Sequence, residues 1–479
     1  MNNPQMQKTL KNPPLWASIL PIAVLLISLV ALIIIEGAHA VSEYSQIVLL
    51  GTSFLAFLLA MATGAFSLRG LKVGFARSAR QILPAVPMLV FIAMVATTWM
   101  AAGVVPTMIK YGLGLLDPTL FLVTTCAICA VISVMTGSSW TTIATIGVAF
   151  MGIGTVMGFH PGWVAGAIIS GAYFGDKVSP LSDTTVVASS TCGVDLFTHI
   201  RYLMITAIPA MSVALIIYLI AGIYTDTVSV KEAMQFAGEL EDYFRLSPFI
   251  LFIPAVTLVL IAFRVPTLIT LFSASALGFA GMFVFQSHEG FSVIDGLMAL
   301  WKGFAPSTGD SSLDSLVTTG GISGMMSTIT LVLSAIVFGC AMIGTGMLSV
   351  IANAFTRRLR RRGSIVSTTV GSGLFINACT ADQYLSLIIT GNMYRTLYQK
   401  FRLEPRLLSR TIEDSVSVTS VLIPWNSCGI TQSTVLGVST LVYFPFCIFN
   451  ILSPCMSILM AWTGYKIRSV TLKRAAASA

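Results

Sequence analysis

Five carboxylates of this chain, Asp176, Asp183, Asp382, Glu413 and Asp414, lie in or beside long apolar stretches. A charge in bilayer hydrocarbon costs about 2.5–3.5 kcal/mol on insertion scales, so such residues mark functional sites. Asp183 belongs to Gly175-Asp176-Lys177-Val178-Ser179-Pro180-Leu181-Ser182-Asp183-Thr184-Thr185. Pro180 has no amide hydrogen and interrupts a helix. Ser179, Ser182, Thr184 and Thr185 set hydroxyl oxygens beside one carboxylate. A hard monovalent cation such as sodium wants an oxygen cage with one or two negative charges, completed by carbonyls freed where a helix unwinds. Asp183 and Thr184 are therefore candidate cation ligands. The alternative for Asp183 is an N-cap of the half-helix that follows.

Asp382 falls at the expected tip of a helical hairpin, near Asn377, Thr380 and Gln383. A carboxylate shielded from water holds a proton readily, and a bound cation displaces that proton. Asp382 is thus a candidate for both ion and proton. Asp176 stands four residues before Pro180, about 6 Å along a helix, and is a second proton-carrier candidate. Lys177 is its neighbour, and adjacent helical residues do not face each other, so the two need different partners. Lys177 reads as a charge partner; Glu413 and Asp414, toward the cytoplasmic mouth, pair with it or with nearby arginines, gather cations, or form a solvated helix start. Asn426 and Ser427, with Cys428-Gly429, follow Pro424 and offer neutral oxygens opposite Asp183. Trp140 and Trp425 line the pocket or pack. The four histidines fall near span ends or in loops without metal-ligand spacing, with His199 read as an interface anchor.

The elements that must carry these residues are membrane helices. The chain has 479 residues, 56% hydrophobic and 10% charged, where soluble domains run near 25% charged. Mean hydropathy is +0.88. This excludes a soluble enzyme, a secreted disulfide scaffold, a disordered chain and a nucleic-acid binder, and it makes the chain an all-α polytopic membrane protein. The eight cysteines all sit in or beside apolar runs, which argues against a disulfide framework. Continuous spans are expected at 15–35, 44–66, 84–109, 200–222, 248–264, 267–285, 325–350 and 437–462. Four further apolar stretches, 119–157, 163–193, 364–398 and 408–435, are interrupted by polar or Pro/Gly clusters. Broken helices are tolerated at membrane depth only inside protein or against a water-filled cavity.

The halves echo each other. Ser138 precedes Pro180 by 42 residues, as Asp382 precedes Pro424. Each half supplies five spans, one of them broken, plus one re-entrant hairpin; two full spans in place of each hairpin would leave the parity unchanged. Five is odd, so the second repeat is inverted relative to the first, as in many secondary transporters. The expected division is a cytoplasmic N-terminus 1–14, a first repeat 15–222, an external linker 223–247, an inverted second repeat 248–465 and a cytoplasmic C-terminus 466–479. With both termini cytoplasmic, 22 of the 27 Lys and Arg fall inside and 12 of the 19 acidic residues fall outside. That is the bias membrane proteins carry. Lys177 is the single base at membrane depth. Walker, HExxH and GxSxG motifs are missing, which removes the support for ATP-driven transport and hydrolysis.

The stretches GSSWTT, GAYFGDKVSPLSDTT followed by DLFTHIR, ADQYLS, LSRTIEDS and LIPWNSCG together resemble the NhaC-type sodium/proton antiporters, over about residues 15–465. The resemblance implies sodium efflux driven by proton entry, in the inner (cytoplasmic) membrane, often as a homodimer and without a cofactor. It places the sodium site at Ser138, Asp183, Thr184, Asp382, Asn426 and Ser427, with Asp176 as a proton carrier. This chain departs from the family in having Val186-Val187-Ala188 after SPLSDTT, where Asn-Leu-Ala is usual. A more apolar wall suits an organic co-substrate. The second expectation is therefore a sodium- or proton-coupled organic acid antiporter of the malate/lactate type.

Overall fold

The computed structural model describes residues 12–36, 40–83, 85–225, 238–286, 292–306, 314, 317–356 and 361–467. Residues before 12, the linker at 226–237, Arg357, Arg358 and Arg360, and the tail after 467 lie outside the described residues. Every element among the described residues is helical. Seven of these helices are long and apolar enough to cross a bilayer, or nine if each of two bent pairs is one span.

Leu15–Glu36, Leu196–Tyr224 and Thr267–Phe285 are continuous where continuous spans are expected. The 248–264 span is shorter than expected, an apolar helix over Pro248–Ala262. Three other expected spans are not continuous. The 84–109 span bends by 67° between Val86–Ala101 and Val104–Leu115. The bend falls at Gly103, whose φ of +76° lies in the left-handed region that glycine enters without a Cβ clash. The 325–350 span ends at Gly344, and after Gly346 a separate helix, Met347–Thr356, begins. The 437–462 span bends by 57° between Thr440–Phe446 and Ile448–Thr463. The hydropathy pattern carries straight across these sites, because one or two residues redirect a helix without changing its apolar content.

The four interrupted stretches break where the polar clusters stand. Phe121–Thr136 and the helix starting at Ser139 flank one hairpin tip, and Arg362–Thr380 and Gln383–Lys400 flank the other. Pro161–Val178 and Asp183–Cys192 enclose the first break, and the segment from Pro405 and the helix Ser427–Leu436 enclose the second. In the first half, hairpin arm and broken helix pack backbone to backbone. A Cβ on Gly175 would fall on the carbonyl of Ala130 and the side chain of Ser133. Such small residues let apolar helices approach closely where lipid gives no hydrophobic drive to associate.

Candidate functional site

Each hairpin turns on one left-handed residue followed by an N-cap. At the first tip Gly137 has φ +66°, and Ser138 Oγ accepts from the Thr141 amide at 3.2 Å. Thr136 Oγ1 and Thr142 Oγ1 both donate to the Ser138 carbonyl, at 3.2 and 3.0 Å. At the second tip Ala381 has φ +54°, and Asp382 Oδ1 accepts from the Leu385 amide at 2.8 Å. Thr380 Oγ1 and Ser386 Oγ donate to the Asp382 carbonyl, at 3.1 and 2.7 Å. The same device thus recurs 244 residues later with a carboxylate in place of a hydroxyl.

The breaks recur at the same offset. Ser182 caps Asp183–Cys192 and Asn426 caps Ser427–Leu436; these half-helices end on the left-handed Gly193 and Gly437. The joints to the hairpins match as well. Ser133 Oγ donates to the Ala172 carbonyl at 2.6 Å, and Asn377 Nδ2 to the Val416 carbonyl at 2.9 Å.

Tips and breaks converge on a cavity of about 760 Å³. Ser138, Asp176, Asp183, Thr184, Asp382 and Ser427 all line it, so it gathers six expected site residues from both halves. Asp382 is 3% exposed, Asp176 half-buried and Asp183 exposed at the wall. Asp176 Oδ2 accepts from Ser139, the amide at 3.2 Å and the hydroxyl at 2.7 Å, which ties the first broken helix to the first tip. Val186 and Val187 form an apolar wall, and Arg264 joins the lining from the loop before Thr267–Phe285.

Asn426 does not line the cavity. Its Oδ1 caps the Cys428 amide at 3.0 Å and its Nδ2 donates to Asn377 Oδ1 at 3.0 Å, so its polar atoms are spent holding the break against the second hairpin. Trp140 lines the cavity, whereas Trp425 donates its ring N–H to the Ala378 carbonyl at 2.8 Å.

Lys177, Glu413 and Asp414 are absent from the cavity lining and lie in the protein interior. Lys177 is 1% exposed and both acids are fully buried, which overturns both the solvated helix start and the placement at a mouth. The partner of Lys177 is Asp414, in a direct ion pair. Asp414 also accepts from Ser453 at 3.0 Å, Thr206 at 3.2 Å and Ser457 at 2.7 Å. Breaking a buried pair by removing one partner costs about 3–5 kcal/mol, because the other charge is left uncompensated.

Sequence reasoning allowed nearby arginines as partners of the acidic pair but named none, and it missed other residues of this network. Arg410 is fully buried, with Nε 3.9 Å from Asp414 Oδ2 and its guanidinium 4.6 Å from the Tyr202 ring centroid. Lys177 is therefore not the single interior base, and the cytoplasmic assignment of Arg410 by charge count hid the second. His199 is also interior and not an interface anchor: it is fully buried, and its Nδ1 lies 2.8 Å from Ser409 Oγ. Ser139, one residue past the first tip, is the partner of Asp176; only the fold reveals a bond across 37 residues. Glu413 and Asp414 stand in a π-helical turn, Glu413–Ser417, and a second such turn, Ile143–Gly147, follows the first tip. Turns of this kind are frequent at functional sites.

The chain matches the profile of the Na+/H+ antiporter family over residues 7–223 and again over 171–465. It is 36% identical over 395 residues to the Na(+)/H(+) antiporter NhaC of Alkalihalophilus pseudofirmus, covering 82% of this chain and 83% of that one. It is 33% identical over 421 residues to the malate-2H(+)/Na(+)-lactate antiporter of Bacillus subtilis, covering 88% and 89%. It is 33% identical over 461 residues to the arginine/ornithine antiporter ArcD of Halobacterium salinarum, covering 95% and 93%. By profile and by these relatives, the chain belongs to the Na+/H+ antiporter family.

Proposed function

We propose that this protein is a secondary active transporter that exchanges sodium for protons across the cytoplasmic membrane. The observation that carries the reading is the cavity, where Asp176, Asp183 and Asp382 from both halves face one space. The base beside them in sequence, Lys177, is turned away and neutralised by Asp414. Sodium takes oxygens from Asp183, Thr184, Asp382, Ser138 and Ser427. Asp382 and Asp176 exchange their protons for it. Asn426 positions the second break without touching the ion.

Two inverted repeats, each with five spans and one re-entrant hairpin, account for the recurring tips, breaks and joints. Arg264 and Val186 both line the cavity and are exposed, and the charge bias assigns the loop at Arg264 to the cytoplasmic side. On this reading both termini lie on that side.

A second reading is exchange of an organic acid together with sodium or protons. It is favoured by the volume and the valine wall, which exceed what a bare ion needs. Ser138 and Ser427, at the starts of two half-helices, line the cavity, and helix N-termini attract carboxylates.

The test uses purified protein in liposomes with a pH-sensitive dye inside. A proton gradient is imposed, and NaCl, KCl, sodium malate, sodium lactate and then arginine are added. Dissipation by NaCl alone supports sodium/proton exchange. Dissipation only with an organic ion overturns it in favour of the second reading.

A further inference from the structure

The helix Leu68–Ile82 has no place in the site, yet its sequence and packing divide it into three sides. It carries Arg69, Lys72, Arg77 and Arg80 and no acidic residue. Ser67 caps its start, accepting from the Gly70 amide at 3.2 Å. At about 100° per residue, Gly70 and Gly74 fall on one side. That side lies on the end of helix Gly321–Gly344: a Cβ on Gly74 would stand 3.1 Å from the Cys340 carbonyl oxygen. Leu68 and Phe75 fall on a second side, 68% and 55% exposed. Arg69, Lys72 and Arg80 fall on the third and are exposed.

The helix follows Ala40–Ala62 and precedes Ala85–Ala101, so it links two apolar helices at one end of each. It is too polar to cross a bilayer. Its glycine side holds it against the protein, its apolar edge needs hydrocarbon, and its basic side needs anions. A helix with these sides lies in the plane of the membrane interface. The end of Gly321–Gly344 that it touches leads into Met347–Thr356, and the sequence that follows, 357–362, is rich in arginine.

We propose that the basic side of Leu68–Ile82 is a binding surface for anionic phospholipid headgroups of the adjoining leaflet. The acyl chains pack on Leu68 and Phe75 while Arg69, Lys72 and Arg80 hold the phosphates. Each basic residue near an anionic surface contributes about a fivefold gain in affinity. The surface is independent of the ion cavity and of its assigned reaction.

The test titrates the purified full-length protein, in neutral detergent, with phosphatidylglycerol or phosphatidylcholine and reads the thermal unfolding midpoint. Phosphatidylglycerol is expected to stabilise the wild type, with the half-effective concentration raised on the order of 100-fold in R69Q/K72Q/R80Q and about fivefold in K72Q. The triple variant in phosphatidylcholine liposomes should exchange ions as the wild type does, which separates lipid binding from folding and transport. Equal stabilisation of wild type and triple variant by phosphatidylglycerol overturns the proposal. So does equal stabilisation of the wild type by the two lipids, or by glycerol phosphate without acyl chains.

Discussion

The two hairpin tips have the same backbone and different charge. Thr136, Gly137, Ser138 and Thr142 form one; Thr380, Ala381, Asp382 and Ser386 form the other, with matching bonds to the carbonyl of the capping residue. The partners across each joint differ in a complementary way. At the first, Asp176 meets Ser139 at 2.7 Å; at the second, Ser420 meets Gln383 at 3.3 Å. Carboxylates therefore sit on the broken helix in the first set and on the tip in the second. Geometry and charge are separable here: caps and left-handed turns build the two tips alike, and the acids are placed differently on them.

The largest expected effect comes from removing those acids. Asp382→Asn and Asp183→Asn should each abolish sodium-driven proton movement in liposomes while the protein still inserts. At an effective dielectric near 20, one carboxylate close to a cation is worth about 4 kcal/mol, on the order of a thousandfold. Wild-type exchange in either variant removes that residue from the site.

Next comes the ion pair behind the cavity. Lys177→Met should lower stability by about 3–5 kcal/mol, read by thermal unfolding. Adding Asp414→Leu should recover part of the loss, because no uncompensated acid then remains. If the double variant is no better than the single, Arg410 and not Lys177 is the base that Asp414 chiefly balances.

Moving the charge from one tip to the other tests their equivalence. Asp382→Ser alone should inactivate, and adding Ser138→Asp should restore exchange at least about tenfold, within the range of couplings between interacting sites. No recovery means that the two tips are not interchangeable in the transport cycle. The smallest effect is in the backbone. Gly137→Ala places a Cβ 2.6 Å from Leu181 in a left-handed residue, costing about 1–2 kcal/mol for the conformation alone. Ala381→Gly should be neutral or stabilising by no more than about 1 kcal/mol, since relief of that conformation is offset by a freer unfolded chain. A lowered midpoint for the first and an unchanged or raised one for the second are the expected melting curves.

Much of this was legible in the residues. Polar and Pro/Gly clusters inside apolar runs mark the four interruptions, since unpaired backbone groups at membrane depth need a polar setting. The spacing from Ser138 to Pro180 and from Asp382 to Pro424 aligns the halves. Isolated carboxylates in apolar surroundings name Asp176, Asp183 and Asp382 before any contact is known. What sequence left open was direction. Asn426 and Ser427 are adjacent, yet one is buried in its own joint and the other faces the cavity. Lys177 and Asp176 are adjacent too: different partners are expected, but that Asp176 meets Ser139 and Lys177 meets Asp414 came only from the fold.

Sequence by itself therefore determined the membrane class, the positions of the breaks and the acids set among apolar helices, because hydropathy and helix-breaking chemistry are local. Tertiary structure alone decided the pairing of Lys177 with Asp414, the burial of Arg410 and His199, and the bends at Gly103 and Cys447. Those depend on which helix faces meet, and in an almost uniformly apolar chain no periodicity in the sequence records that choice.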